Sequence, residues 1–374
     1  MAPSHVRPYR VVRSIHPSSD TEPLPKERLR ILTGLRPSGP SHVGHYAGAF
    51  SQWLELQEEF ESFFLLADYQ VSDYADNLPW IRWGLWEVAL DWLGVGLDPN
   101  RSFYVIESGV PEFAELTLHL SWFLGLGHLQ RNPTLKSELA ALETKSGDAR
   151  AFSVPVAFFN YPVMQTANIL LPQAHLVPVG EDQLPHIEMT RDVAIRFNSR
   201  FGNTFVVPES RVGSVPRLTG IDGKGKMGTS AGNAIFLKDS EGTLRSKVRS
   251  MFTDPKRLRA TDPGTVEGNP VFLYHDAFNP NMAEVDDLKT RYRVGKVGDV
   301  EVKDRLFEAM NTLLAPIRDR RADWAQRPDD VRDVLKAGTT EMKRRAEPVI
   351  ARVRSALNLD YFKDGPPPPP HGAP

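Results

Sequence analysis

The chain has 374 residues, of which 41% are hydrophobic and 25% are charged, and it contains no cysteine. At about 150 residues per domain this length suits two to three domains, so a small disulfide-stapled scaffold is excluded. The lack of cysteine also excludes thiol nucleophiles and cysteine-ligated metal centres. Because 45 basic and 47 acidic residues give a net charge of −2, a polyanionic partner would need a locally basic surface.

Neither end of the chain has the pattern of a folded segment. Residues 1–26 are interrupted by prolines and show no sustained apolar period, so we predict a disordered extension there. Arginines interrupt its apolar stretch, which argues against a signal peptide. Residues 364–374 contain five consecutive prolines and are predicted to form a solvated Pro-rich tail. No run of about 18 uncharged apolar residues occurs, so we expect no membrane span and a cytoplasmic location.

Short apolar runs alternate with helical patterns through the first two thirds of the chain. Four of these runs are predicted to be strands, at residues 29–33, 63–67, 103–106 and 176–179. Helical spacing between them is clearest at residues 47–57, 80–93 and 163–170. This alternation favours an α/β fold with a parallel sheet and helical crossovers. From about residue 244 only helical spacing remains, notably at residues 304–317 and 331–357, which predicts a helical C-terminal unit.

The most informative segment follows the first predicted strand and reads Arg-Pro-Ser-Gly-Pro-Ser-His-Val-Gly-His over residues 36–45. It leads into a helix, whose N-terminal backbone N–H groups and dipole attract phosphate. Gly39 and Gly44 would let a nucleotide approach the backbone, and His42 and His45 could donate hydrogen bonds to its phosphates. The alternative, two plain surface histidines, stays open at this point.

A second segment, residues 220–235, surrounds two lysines with glycines and small polar residues. Such a composition is typical of a mobile loop that can fold over a triphosphate and neutralise it. The same composition also describes a solvated loop with no ligand. The pairing of this loop with the histidine segment favours the first interpretation.

These two segments resemble the HIGH and KMSKS signatures of class I aminoacyl-tRNA synthetases. Residues 32–39, 161–171 and 177–192 are similar to tryptophanyl-tRNA synthetases, and the similarity extends over residues 28–357. The resemblance implies a Rossmann-type parallel-sheet catalytic domain over residues 27–240, a helical anticodon-binding domain over residues 241–363 and a homodimer.

The resemblance also implies a two-step reaction. L-Tryptophan and ATP, with Mg²⁺ carried by the ATP, would give tryptophanyl-adenylate and pyrophosphate, and the 3′ end of tRNA(Trp) would then accept the amino acid. A carboxylate must attack an anionic phosphate, so the protein contributes positioning and charge neutralisation. We predict no protein-bound metal site, and the sequence identifies no protein partner.

The family's functional residues map onto named positions of this sequence. Catalytic roles are implied for His42, His45, Lys224 and Lys226. Contacts to ATP are implied for Arg36, Gly44, Gly180, Asp182, Met227 and Ser230. Contacts to tryptophan are implied for Leu32, Gln70, Tyr161, Gln165, Asn168, Val179 and Gln183.

Several of these positions carry a specific implied role. Asp182 would accept hydrogen bonds from the ribose hydroxyls, and Met227 would lie near adenine. Tyr161 and Gln183 would hold the α-amino group of the amino acid. Asn168 would accept the indole N–H, which is the polar feature that separates tryptophan from phenylalanine.

The sequence departs from the family pattern in the amino-acid pocket and in the loop. Asn168 and Gln165 stand where bacterial members usually have Asp and Met, and an uncharged acceptor is expected to bind the indole less strongly. Thr229 replaces the second lysine of the loop signature, which is expected to weaken activation. Lys224, or Lys136 or Lys145 farther upstream, could supply the missing charge.

Two alternatives to the ligase remain. One is a nucleotidyltransferase that activates an aromatic amino acid without charging tRNA, and the other is a weakly active regulatory paralogue. For tRNA binding, we expect a phosphate-binding track within residues 244–262, which contain Arg245, Lys247, Arg249, Lys256, Arg257 and Arg259. The tryptophans at helical spacing in residues 80–92 are predicted to be packing residues with no ligand role.

Overall fold

The computed structural model describes most of the chain, namely residues 28–146, 154–213, 218–225, 227–228, 231–255, 257, 259, 261–362 and 365. The predicted extension over residues 1–26 lies outside the described residues, as does the predicted tail apart from Gly365. Among the site residues named from the sequence, Lys226 and Ser230 also lie outside them, and so does Thr229.

Among the described residues, five parallel strands form one sheet in the order β3-β2-β1-β4-β5. The strands are β1 (Arg30–Leu35), β2 (Glu61–Leu66), β3 (Ser102–Ile106), β4 (Leu176–Val179) and β5 (Glu209–Val212). The four predicted strands and the parallel sheet are confirmed. The fifth, β5, was missed because its sequence Glu-Ser-Arg-Val has no apolar alternation, as befits a largely exposed strand at the edge of the sheet.

Helices surround this sheet and form the C-terminal part of the chain. Those in the first two thirds are α1 (Val43–His45), α2 (Ser51–Glu59), α3 (Leu78–Val95), α4 (Glu112–Ser121), α5 (Leu126–Arg131), α6 (Pro133–Ser146), α7 (Val156–Leu170) and α8 (Leu184–Phe201). The later ones are α9 (Glu241–Arg249), α10 (Pro270–Phe278), α11 (Met282–Arg293), α12 (Asp299–Ala325) and α13 (Pro328–Ala356). Searching the described residues for a helix with the length and apolarity to cross a membrane finds none.

The helix predicted at residues 47–57 differs from a regular α-helix at its start. A π-helical turn, Tyr46–Phe50, connects α1 to α2. Apolar spacing alone does not distinguish this geometry from an α-helical turn, so the sequence could not show it. Single π-turns of this kind occur frequently at functional sites.

The C-terminal helices pack directly against the sheet and its crossover helices. Helix α13 lies along β3, and α12 lies along α3. Both hydrophobic clusters of the described chain contain residues from each side of position 240, for example Trp92 with Leu314 and Phe63 with Val349. The sheet and the helical part are therefore joined by shared hydrophobic burial.

The two parts approach each other closely at Gly338 of α13. A Cβ atom at this position would lie 2.3 Å from the Tyr104 carbonyl oxygen and 2.5 Å from the Tyr104 nitrogen. Since these atoms belong to the buried strand β3, they cannot move aside as a flexible side chain could. Glycine is required here by the distance between two backbones.

We expect Gly338→Ala to lower the free energy of unfolding by about 2 to 3 kcal/mol, because α13 must move away from β3. Urea denaturation followed by circular dichroism measures this change. Gly242→Ala is the matched control, because a Cβ there would lie 4.0 Å from the Ser240 hydroxyl oxygen. Equal stability of the two variants would contradict the backbone contact.

Candidate active site

The turn after β1 is held in shape by α3. Gly39 has a φ of 122°, a conformation that favours glycine. The indole N–H of Trp80 donates to the Ser38 carbonyl at 3.1 Å. Gly84 lies so close to the turn that a Cβ there would be 2.2 Å from the Pro37 carbonyl oxygen. Trp80 is thus a positioning residue for the turn, a role that the packing interpretation of its spacing did not include.

The turn is also anchored by a buried ion pair. The fully buried carboxylate of Asp91 accepts the Ser41 backbone N–H at 2.6 Å and the Arg321 Nε–H at 2.7 Å. Arg321, on α12, also donates to Glu87. Burial raises the pKa of Asp91 to about 6, against the opposing effect of Arg321. The helical part of the chain therefore contributes directly to the position of the turn.

The two histidines of the turn lie against each other. Their rings are stacked, with centroids 3.8 Å apart and planes inclined by 12°. The His42 backbone N–H donates to Nδ1 of His45 at 3.2 Å. Nδ1 is therefore an acceptor, so in the neutral imidazole the proton of His45 lies on Nε2. This tautomer makes Nε2–H the donor of the His45 ring.

The glycine-rich loop and the residues after it lie against the same turn. The Val43 N–H donates to the Ile235 carbonyl at 2.9 Å, and the Leu237 N–H donates to the Ser41 carbonyl at 3.0 Å. Met227 is buried, and a Cβ at Gly44 would lie 3.3 Å from its sulfur. The described part of the loop and the histidine turn thus form one structural unit.

A short side chain holds the described part of this loop. The Asn233 side-chain oxygen accepts the Gly228 N–H at 3.0 Å, and its amide nitrogen donates to Asp222 at 3.2 Å. Lys224 lies on the exposed surface of the same loop. Its backbone N–H donates to the Asp222 carboxylate at 3.0 Å. Beside the turn, a small cavity of about 150 Å³ is lined in part by Arg36, Gly39 and His45.

A second group of polar residues lies at the carboxyl end of β3. Glu107, which follows β3 directly, is fully buried and accepts hydrogen bonds from Asn168 at 2.8 Å, Gln70 at 3.2 Å and the Tyr69 N–H at 3.1 Å. Burial raises its pKa to about 7, against these hydrogen bonds. Gln70 and Asn168, both named from the sequence, are thus brought together by a carboxylate that the sequence analysis did not single out.

A third group lies between α6, α7 and α8. The Tyr161 hydroxyl donates to Glu138 at 2.7 Å and lies 3.3 Å from Nε2 of His186. Burial lowers the pKa of His186 to about 4, so its imidazole is neutral near pH 7. One turn farther along α7, Gln165 donates to Gln183 at 3.4 Å.

The remaining predicted residues lie along the central strands and their ends. Leu32 is buried within β1, and Val179 is the last residue of β4. Gly180 precedes the turn that contains Asp182, and a Cβ at Gly180 would lie 3.0 Å from the Asp182 carboxylate. Asp182 is on the exposed surface, and its backbone carbonyl accepts the Thr134 hydroxyl.

The described groups therefore collect at one edge of the sheet. The histidine turn follows β1, Glu107 follows β3, and Gly180 follows β4. In parallel α/β sheets this carboxyl edge is where ligands bind. These polar groups lie at the same edge of the sheet as the histidine turn, an arrangement that bringing a carboxylate and a phosphate together requires.

Part of the expected tRNA track is wrong. Arg257 is buried and donates to Asp299 and to two backbone carbonyls, and Lys247 donates to Asp239 at 2.7 Å. Arg257 and Lys247 are therefore engaged in contacts within the protein. Among the described cations of this segment, Arg245, Arg249 and Arg259 are exposed, whereas Lys256 lies outside the described residues.

Comparison with known proteins gives a consistent result. The family model described as "tRNA synthetases class I (W and Y)" matches residues 24–315. A tryptophan–tRNA ligase of Treponema pallidum is 46% identical over 338 residues, which cover 88% of this chain and 97% of that protein. A tryptophan–tRNA ligase of Borreliella burgdorferi is 42% identical over 344 residues, which cover 91% of this chain and 96% of that protein.

The solved structure of tryptophanyl-tRNA synthetase from Campylobacter jejuni, complexed with ADP and tryptophan, superposes with a TM-score of 0.75 at 31% identity. The match covers 88% of this chain and all of that one. Fold and site thus define a class I tRNA synthetase. The chain belongs, within that class, to the tryptophan–tRNA ligase family.

We expect Asp91 and Arg321 to be energetically coupled. Asp91→Asn and Arg321→Gln should each lower the free energy of unfolding by about 3 kcal/mol, because each leaves a buried partner unpaired. The double variant should recover about 2 kcal/mol of the summed loss, as measured by urea denaturation of all four proteins.

The matched control is the exposed pair Asp329 and Arg332, at the start of α13. Its coupling should be under about 0.5 kcal/mol, since surface ion pairs contribute little. Additive losses for Asp91 and Arg321 would show that the buried pair does not act as a unit.

Proposed function

We propose that the chain is a tryptophan–tRNA ligase that uses ATP with bound Mg²⁺, L-tryptophan and tRNA(Trp). The observation that carries this proposal is the contact between its two signature segments. The histidine turn and the residues after the lysine loop share backbone hydrogen bonds, and Met227 packs on Gly44. One nucleotide can therefore be held by both segments.

The first step joins the tryptophan carboxylate to the α-phosphate of ATP. A carboxylate oxygen attacks phosphorus, the bond to the β-phosphate bridging oxygen breaks, and pyrophosphate leaves with the electron pair. His45 Nε2–H donates to a phosphate oxygen on which negative charge builds up during the step. The backbone N–H groups at the start of the helix stabilise the same charge. His42 and the cations Arg36, Lys224 and Lys226 complete this neutralisation.

The nucleoside lies across the carboxyl ends of β1 and β4. Gly180 has no side chain, so it leaves room for the nucleoside. A Cβ at this position would also crowd the Asp182 carboxylate. The exposed Asp182 carboxylate accepts from the ribose hydroxyls. Gly44, Met227 and Ser230 contribute the other contacts to ATP.

The amino acid lies between the second and third polar groups. Tyr161 and Gln183 hold its α-amino group, and the half-buried Glu138 carboxylate beside the Tyr161 hydroxyl adds a negative charge that favours an ammonium. Leu32, Gln70, Gln165 and Val179 line the pocket, and Asn168 accepts the indole N–H.

In the second step a ribose hydroxyl at the 3′ end of tRNA(Trp) attacks the tryptophanyl carbonyl, and AMP leaves. We place anticodon binding in residues 241–363 and catalysis in residues 27–240. Contacts between α12 and α3 and between α13 and β3 support communication between the two parts.

We further propose a homodimer that functions in the cytoplasm. Support for the dimer comes from large apolar side chains exposed near α4, α5 and the start of α7, namely Leu118, Trp122, Leu126 and Val156. Exposed apolar side chains of this size favour burial against a second copy of the chain.

The purified protein is expected to catalyse tryptophan-dependent exchange between ATP and pyrophosphate and to charge tRNA(Trp). Radiolabelled exchange and charging assays measure the two steps separately. Phenylalanine and tyrosine are the control substrates, and both should give under about 1% of the tryptophan rate, because neither offers an indole N–H.

The same assays separate the alternatives. Exchange without charging would identify a nucleotidyltransferase that does not act on tRNA. A folded protein with neither activity would identify a binding or regulatory paralogue, and either result would overturn the ligase.

A further inference from the structure

Glu107 is an unusual residue to find at the end of β3. Its carboxylate is fully buried, and its hydrogen-bond donors come from the loop after β2 and from α7. A buried carboxylate is costly for the fold, and such groups in a cleft are candidates for a functional role. The burial that raises its pKa also makes its hydrogen bonds strong.

The chemistry of a carboxylate fixes the orientation of Asn168. Ionised Glu107 can only accept, so the Asn168 amide must turn its nitrogen toward it, which it does at 2.8 Å. The amide is planar, and its oxygen therefore points away from Glu107. Asn168 is 2% exposed, and within the described chain its Oδ1 is buried without a hydrogen-bond partner.

A buried acceptor without a partner is destabilising unless a ligand supplies the missing donor. The donor must be an N–H or O–H group that reaches this buried oxygen. The indole N–H of tryptophan meets this requirement, while the ring of phenylalanine offers no donor.

We propose that Glu107 is a specificity-determining positioning residue, which holds the Asn168 side-chain oxygen toward the indole N–H. This inference rests on the proposed function, since it takes tryptophan as the substrate. Glu107 does not touch the amino acid and acts only through Asn168. It compensates for the neutral amide at position 168 by orienting and polarising it.

The test measures equilibrium binding of tryptophan and of β-(3-benzothienyl)alanine, an analogue in which sulfur replaces the indole N–H. Isothermal titration calorimetry on the full chain gives both Kd values, and their ratio is the discrimination. We expect the unaltered protein to favour tryptophan by at least about tenfold. Glu107→Leu should reduce this ratio to within about twofold of unity, because Asn168 is then free to rotate.

Matched variants separate positioning from structure. Glu107→Gln should keep most of the discrimination, since its side-chain oxygen can still accept from both Asn168 and Gln70. Asp68→Asn is the control for disturbance of the loop, because Asp68 accepts from Ser108 and not from Asn168. Asn168→Ala should abolish discrimination, and adding Glu107→Leu to it should change the ratio no further.

The pH dependence gives an independent readout that requires no variant. With its pKa raised to about 7, Glu107 gains a proton as the pH falls below that value. Protonated Glu107 can donate to the Asn168 oxygen, so discrimination should fall between about pH 8 and pH 6. Among the described residues, Asp68 and Tyr69 are the ionisable groups that interact electrostatically with Glu107.

Each outcome is decisive. Discrimination that survives Glu107→Leu, or that falls further when this change is added to Asn168→Ala, would overturn the positioning role. Tryptophan that fails to bind the unaltered protein would overturn the inference together with the proposed substrate. Binding with the expected ratios but no ATP–pyrophosphate exchange would support the inference and contradict only the catalytic proposal.

Discussion

The structure depends on the backbone pairing between the turn after β1 and the segment after the glycine-rich loop. Hydrogen bonds at Ser41 and Val43 fix this turn to Leu237 and Ile235, almost two hundred residues later in the chain. Because the pairing uses main-chain atoms, it holds the two predicted phosphate-binding segments together without requiring particular side chains. Rigid placement of donors before the substrate arrives is what stabilises developing charge.

A buried ion pair connects this turn to the helical part of the chain. Asp91 binds the turn through Ser41 and binds α12 through Arg321, so a movement of α12 is transmitted to the backbone beside His42. The tight contact of Gly338 with Tyr104 of β3 is a second connection between the helical part and the sheet. The sheet and the helical part thus share both hydrophobic clusters of the described chain.

The sequence was most informative where local chemistry determines structure. Apolar runs predicted four strands, and residues 39–45 predicted the turn between β1 and the next helix, whose phosphate-binding role stays a prediction. It was least informative where partners are distant in the chain. Neither Asp91 nor Glu107 shows from its neighbours that it will be buried, since Asp91 meets Arg321 and Glu107 meets Asn168 only after folding. Buried polar groups depend on such long-range partners, which spacing does not reveal.

The most direct test is a crystal structure with a non-hydrolysable tryptophanyl-adenylate analogue. The account predicts adenosine between the histidine turn and the loop containing Met227, with the phosphate-mimicking group within hydrogen-bond distance of His45 Nε2. It also predicts the indole nitrogen within hydrogen-bond distance of the Asn168 oxygen. An analogue bound away from this edge of the sheet, or an indole nitrogen facing another group, would contradict it.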